Sequence, residues 1–195
     1  RFRVANVTTN TFELQGVNST NYTAYASGGT AADVFEIASP YTESQLYEVG
    51  FTQSADVMYL VHEDVSPRKL SRTGHTSWTL TEVDFKRGPY LDQNTTGTTM
   101  TPSGTSGSVT ITASSNTFVS TDVGRLIKFS DGHAKITNFS SATQVTATTT
   151  DNFSGTGGTT DWSLGTFTST KGFPRAVSFF EQRLVFAGTN DNPQT

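Results

Sequence analysis

A run of closely spaced apolar segments between residues 34 and 89 limits what this chain can fold into more than any other part of it. Its centre reads FTQSADVMYLVHEDVSPRKLSRTGHTSWTL, residues 51–80. Within it VMYLVH, residues 57–62, is short, β-branched and aromatic, and is bounded by Asp56 and by Glu63-Asp64, the pattern of a buried strand. Pro67 then predicts a turn, KLSR at 69–72 a second extended piece, and Gly74-His75-Thr76 another turn. Residues 78–84 (WTLTEVD) alternate Trp78, Leu80 and Glu82 against Thr79, Thr81 and Val83. Strand, turn, strand, turn, strand predicts an antiparallel meander, with Trp78 and Leu80 packing on Val57, Tyr59 and Val61. Such a sheet has a face to bury and needs a neighbour.

The rest of the chain supplies short β segments. Residues 1–29 predict a small hairpin. Phe2, Val4 and Val7 lie on one strand, Thr8-Thr9-Asn10 turn, and Phe12 and Leu14 lie on the partner. Residues 32–37 read as a strand, and 43–48 as a helix of one to two turns opened by the capping box Thr42-x-x-Gln45. Residues 91–107 (LDQNTTGTTMTPSGTSG) are polar and read as a linker. Beyond them 108–113, 123–129, 134–139 and 143–148 read as strands of a self-contained small barrel or sandwich over 104–168, in which Trp162-Ser163-Leu164 leads on to Gly165. RVANVTTNT at 3–11 aligns with KITNFSSAT at 135–143, placing Asn6 over Asn138, which suggests that 1–29 is the rear of a related unit. Residues 176–180 and 183–187 form a hairpin around Glu181-Gln182 that presents Phe179, Leu184 and Phe186 with little chain to cover them. The expected class is all-β, divided at 1–31, 32–92, 93–171 and 172–195.

Composition narrows the function. With 195 residues, 33% hydrophobic and only 15% charged, the surface is polar rather than ionic. The absence of cysteine removes disulfides, thiol catalysis and thiolate metal sites. A net charge of −4 gives no electrostatic footprint for stable nucleic-acid binding. No apolar run is long enough for a membrane-spanning helix. N-x-S/T triplets begin at Asn6, Asn18, Asn21, Asn94, Asn138 and Asn152, as chance provides in so Thr-rich a chain. The chain opens on Arg1-Phe2 in mid-strand pattern, and we expect it to be part of something longer.

Two stretches carry a resemblance. FEIASPYTESQLYEVGFTQSADVMYLVHEDVSPRKLSRTGHTSWTL and FPRAVSFFEQRLVFAGTNDNPQT resemble the nozzle proteins of short-tailed bacteriophages, also called tail tubular protein B. QSADVMYLVH and FFEQRLVFAGTNDNPQT are the most specific parts; the resemblance covers 1–92 and 172–195, and only weakly the region between. Residues 104–168 are similar to inserts named after the first-catalytic-cysteine-half domain of ubiquitin-activating enzymes, a label for a small β-fold and not for an activity. The resemblance implies a propeller-containing virion protein, a homo-oligomeric ring of sixfold order below the tail adaptor, through which the genome is ejected. In that picture 46–84 is one blade, 176–187 begins the next, and the small β-domain is inserted between them.

The residues themselves point to no reaction. His62, His75 and His133 lie in separate segments without metal-ligand spacing, and Glu63-Asp64 beside His62 reads as a solvated turn. There is no phosphate-binding glycine loop ahead of a helix and no nucleophile elbow, so we expect neither an enzyme nor a cofactor. Glu36, Glu43, Glu48, Asp56 and Asp84 are available for glycoside hydrolysis, but nothing selects a pair among them. Tyr22, Tyr25, Trp78 and Trp162 could form a sugar-stacking platform, with Trp162 the more exposed and Trp78 in the core. Arg68, Lys69, Arg72, Lys86 and Arg87 are the densest cations, suited to an acidic neighbouring subunit or to passing DNA. The alternative to the virion reading is a carbohydrate-binding or adhesin-type β-module.

Overall fold

The computed structural model describes residues 3–9, 11–24, 26, 35–129 and 131–189, and it is all-β. The chain forms two compact units, residues 1–35 and 36–195. In the first, β1 (Val4–Ala5) pairs with β2 (Glu13–Leu14), Val4 opposite Leu14. Thr8 N–H donates to the Thr11 carbonyl at 2.8 Å, so the expected turn forms. Phe2, Asn10 and Tyr25 lie outside the described residues, as does most of the strand expected at 32–37; Phe35 to Ile37 are not in a strand. Asn6 adopts φ 49°, whereas Asn138 sits in a strand opposite Thr146, so the two aligned asparagines do not share a local structure.

The second unit opens with one 3-10 turn, Gln45–Tyr47, shorter than the helix its capping box predicts. Half of that box forms, with Thr42 N–H donating to Gln45 Oε1 at 3.0 Å. The meander follows as four strands, one more than the sequence suggests. They are β3 (Gly50–Ser54), β4 (Val57–His62), β5 (Val65–Gly74) and β6 (Ser77–Glu82), hydrogen-bonded in chain order. Pro67 does not turn the chain. It is fully buried inside β5, and its carbonyl accepts the Val83 N–H at 2.8 Å. The turn lies at Glu63-Asp64, where His62 Nδ1 accepts the Asp64 N–H at 3.1 Å. A ladder irregularity between Leu60 and His62 accommodates the proline, which has no N–H to offer the ladder.

This earlier start of β5 changes the faces. Leu80 lies opposite Leu70, and Leu70 opposite Met58, while Val57 lies opposite Ser71 and Ser71 opposite Thr79. Trp78 and Leu80 therefore share a face with Met58, not with Val57, Tyr59 and Val61, because side chains alternate with a period of two. Trp78 instead lies under the Arg72 guanidinium, 5.7 Å from its ring centroid, and donates Nε1–H to the His75 carbonyl at 3.1 Å.

A six-stranded antiparallel sheet comes next. It comprises β7 (Met100–Pro102), β8 (Ser108–Ala113), β9 (Leu126–Phe129), β10 (Gly132–Ser141), β11 (Gln144–Asp151) and β12 (Trp162–Leu164). Its order is β12-β9-β10-β11-β8-β7. The sheet curls until its edges meet, with Met100 N–H donating to the Thr159 carbonyl at 2.9 Å and Thr159 N–H returning to Met100 at 3.0 Å. Residues read as linker thus contribute an edge strand, with Met100 fully buried. Alternate residues Val109, Ile111, Ile127, Phe129, Ala134, Ile136, Val145 and Ala147 fill the interior with Phe118 and Phe153. The strand expected from Val123 starts only at Leu126. Before it, the Asp122 carboxylate accepts the Val119 N–H at 2.9 Å and binds Arg125 Nη1 at 2.8 Å, and Gly124 takes φ 91°.

β13 (Ala176–Phe180) and β14 (Arg183–Ala187) form the last hairpin. Its two turn residues, Glu181 and Gln182, take φ 46° and 63°, the geometry that favours Asn-Gly. Left-handed backbone costs a residue with a β-carbon about 1–2 kcal/mol. Replacing the pair with Asn-Gly should therefore stabilise the hairpin by about 1 kcal/mol, read as a higher urea midpoint. An unchanged or lower midpoint would contradict this turn geometry. The hairpin packs on the meander, Phe179 meeting Tyr59 edge-on at 6.2 Å, and on the chain that follows the meander, Phe186 meeting Phe85 at 5.3 Å. Leu184 and Phe186 are thus half-covered, not bare.

Candidate functional site

The chain between the two large sheets, residues 84–91, is built as a strap. Its sequence, DFKRGPYL, alternates charged, aromatic and turn residues, and each kind finds a partner on the curled sheet. Arg87 grips Asp151 through Nε at 2.7 Å and Nη2 at 2.9 Å. Thr150 Oγ1 donates to the Lys86 carbonyl at 3.0 Å, and Lys135 Nζ lies 3.6 Å from Asp84. Backbone bonds finish the strap, Thr166 N–H to Pro89 at 3.0 Å and Leu91 N–H to Leu164 at 2.8 Å.

Tyr90 adds an aromatic contact. Its ring lies 5.5 Å from that of His133 at 26°, with Oη 2.6 Å from Nδ1. Burial pushes the Tyr90 phenol up and holds the His133 imidazole below its ordinary range. Hydrogen bonds from Lys86 and Arg87 hold Asp84 and Asp151, respectively, below the usual carboxylate range.

Beside the strap lies a small solvent-open cleft walled by Pro67, Phe85, Pro89, Leu126, Phe167 and Phe173. Phe85 is its hub, 5.4 Å from Phe167 and 5.3 Å from Phe186, both edge-on. Glu82 and Lys135 are its charged lining residues. The walls are apolar, so the cleft suits a packing partner better than a reaction.

Compared with known protein families and with curated proteins, the chain matches none.

Among the described residues, those singled out in the sequence do not assemble into a reactive centre. His62 is buried rather than solvated, its Nε2 lying 3.4 Å from Glu48 Oε2, while His75 is exposed in its turn. Among the described residues no group of three or more His, Cys, Asp or Glu could hold a metal. Asp56 is tied to Arg72 at 3.2 Å and Asp84 to Lys86, so neither is set up as a general acid. Glu43 is exposed. Trp162 is half-buried against the core with Nε1 donating to Thr98 at 2.9 Å, and is not the exposed platform expected of it. Tyr22 is 66% exposed, the one member of the expected aromatic set that stands open among the described residues.

Of the five cations, Arg72, Lys86 and Arg87 are neutralised by carboxylates, Lys69 is exposed, and the Arg68 Nε is buried. Asn94, a possible glycan acceptor by sequence, has its amide committed to the carbonyls of Thr96, Thr98 and Thr160. What the sequence did not single out is the exposed apolar set around the meander and hairpin. Tyr47 is 93% exposed, Phe51 and Phe180 65% each, and Leu46 57%. No helix among the described residues is long and apolar enough to cross a membrane.

Proposed function

We propose that this chain is part of a structural virion protein of a phage tail, a nozzle whose copies close into a ring, sixfold by its resemblance, beneath the tail adaptor. The observation that carries the reading is the meander, four antiparallel strands in chain order with a second antiparallel hairpin packed on it through Tyr59 and Phe179. Four-stranded sheets in radial repetition are the blades of a propeller. The sequence stretches that resemble nozzle proteins fall on those two elements, and the curled sheet lies between them as an insert.

The exposed Tyr47, Phe51 and Phe180 fit a protein that acts by joining others, since apolar surface left to water marks an interface. A net charge of −4 lets DNA pass through a lumen without adhering. In this reading the protein performs no chemistry and binds no cofactor. Its partners are its own copies, the adaptor, other tail proteins and DNA in transit.

Electron microscopy of the full-length protein with its adaptor tests the proposal. A closed ring with an open channel is expected. A monomer under every condition, or a channel lined with Lys and Arg, would sink it. Glycan retention by the monomer would favour the carbohydrate-binding alternative.

A further inference from the structure

We propose that copies of this chain join head to tail, the outer face of the β13–β14 hairpin of one copy covering the open face of the meander of the next. The strand register defines that open face. Phe51, Leu60 and Arg68 lie opposite one another across β3, β4 and β5, as do Met58, Leu70 and Leu80 across β4, β5 and β6, and Trp78 lies opposite Arg72. Six large apolar side chains therefore share one side of the sheet. Phe51 is exposed and the other five are only half-buried. The hairpin lies on the other side, against Tyr59, where Thr52, Lys69 and Thr81 are the cross-strand neighbours. The meander thus leaves its more apolar face to water, the mark of an interface.

Three observations point to a second copy's hairpin as the cover. Its inner face already stacks on a meander within the chain, through Phe179, so its outer face can stack on another sheet at the usual spacing of about 10 Å. That outer face is apolar. Phe180 and Val185 point away from the side of Phe179 and Leu184, and they are 65% and 43% exposed. The third observation is polar. Arg68 Nε and Tyr41 Oη are buried without a hydrogen-bond partner among the described residues, and Tyr41 is near enough for the Arg68 charge to act on it. Such donors call for an acceptor from outside. Glu181, exposed at the hairpin tip beside Phe180, brings a carboxylate.

The two faces differ, so the contact is heterologous. Each copy offers its hairpin to one neighbour and its meander to the other, and the series closes into a ring where the rotation permits. This deepens the ring proposed above and rests on it for closure alone.

Sedimentation of the whole chain over a concentration series tests the contact, and concentration-dependent association is expected. Phe51→Glu and Phe180→Glu replace side chains that are each 65% exposed, so both variants should keep the wild-type circular dichroism. Each should weaken association by about tenfold or more, as loss of an aromatic anchor does. Mixed together, the two variants should recover a dimer, because each supplies the face the other lacks. Glu181→Arg should also weaken association, and adding Arg68→Glu to the same chain should restore it. A wild-type monomer at every concentration, or a mixture that stays monomeric, would overturn the contact. A monomer whose Phe51 resists hydroxyl-radical labelling would give the open face to another segment of the same chain. Association lost in Phe51→Glu but untouched in Phe180→Glu would give it to a different surface of the second copy. Either result overturns the hairpin as the cover. A ring that persists in both variants would do the same while leaving the virion reading in place.

Discussion

Asp122→Ala should cost the curled sheet about 3–5 kcal/mol, the range for removing one partner of a buried ion pair. The Asp122 and Arg125 side chains are 2% and 6% exposed and lie 2.8 Å apart. Arg125 also donates Nε–H to the Gly165 carbonyl at 2.6 Å, so the guanidinium cannot swing to water without breaking a second buried bond. Truncation leaves that charge uncompensated and the Val119 N–H without its acceptor. With an m-value of about 1–3 kcal/mol per molar urea, the midpoint should drop by about 2 M. Adding Arg125→Met should recover part of the loss, because an apolar replacement removes the stranded charge. A loss below about 1 kcal/mol would mean that the pair is solvated, as surface pairs are.

That ion pair also shows why some of the fold was legible and some was not. The strand at 108–113 could be read because period-two burial is written directly into its residues, and those at 57–62, 176–180 and 183–187 because short β-branched and aromatic runs stand between turn residues. Asp122 and Arg125 could not, since two charged residues at a spacing of three look like any exposed turn until the chain around them is buried. Pro67 misled for a related reason. Proline signals a turn locally, but a ladder irregularity makes room for it inside β5. Assigning the turn to Pro67 then put Trp78 and Leu80 on the wrong side of the sheet. The junction was least legible of all. Phe85 and Tyr90 lie far along the chain from their partners Phe167 and His133, and only tertiary packing makes them neighbours. Arg87 stood out as a cation, yet its partner Asp151 lies 64 residues away.

Met100→Ala should destabilise the curled sheet by about 2–5 kcal/mol, the range for emptying a buried methionine site. The polar stretch at 91–107 reads as a tether, and a methionine in a solvated tether would be worth less than about 0.5 kcal/mol. Burial argues otherwise. Met100 is fully enclosed, its strand pairs it with Ala113, and its backbone exchanges two hydrogen bonds with Thr159 to join the sheet's edges. Truncation leaves those backbone bonds in place and removes the side chain, so the experiment weighs packing separately from closure. Trp162 packs against the same core and lets fluorescence follow its unfolding in urea. Met100→Leu keeps the volume and should cost less than about 1.5 kcal/mol. If alanine and leucine both leave the transition where it is, residues 91–107 are the linker their composition suggests, and the curled sheet closes without them.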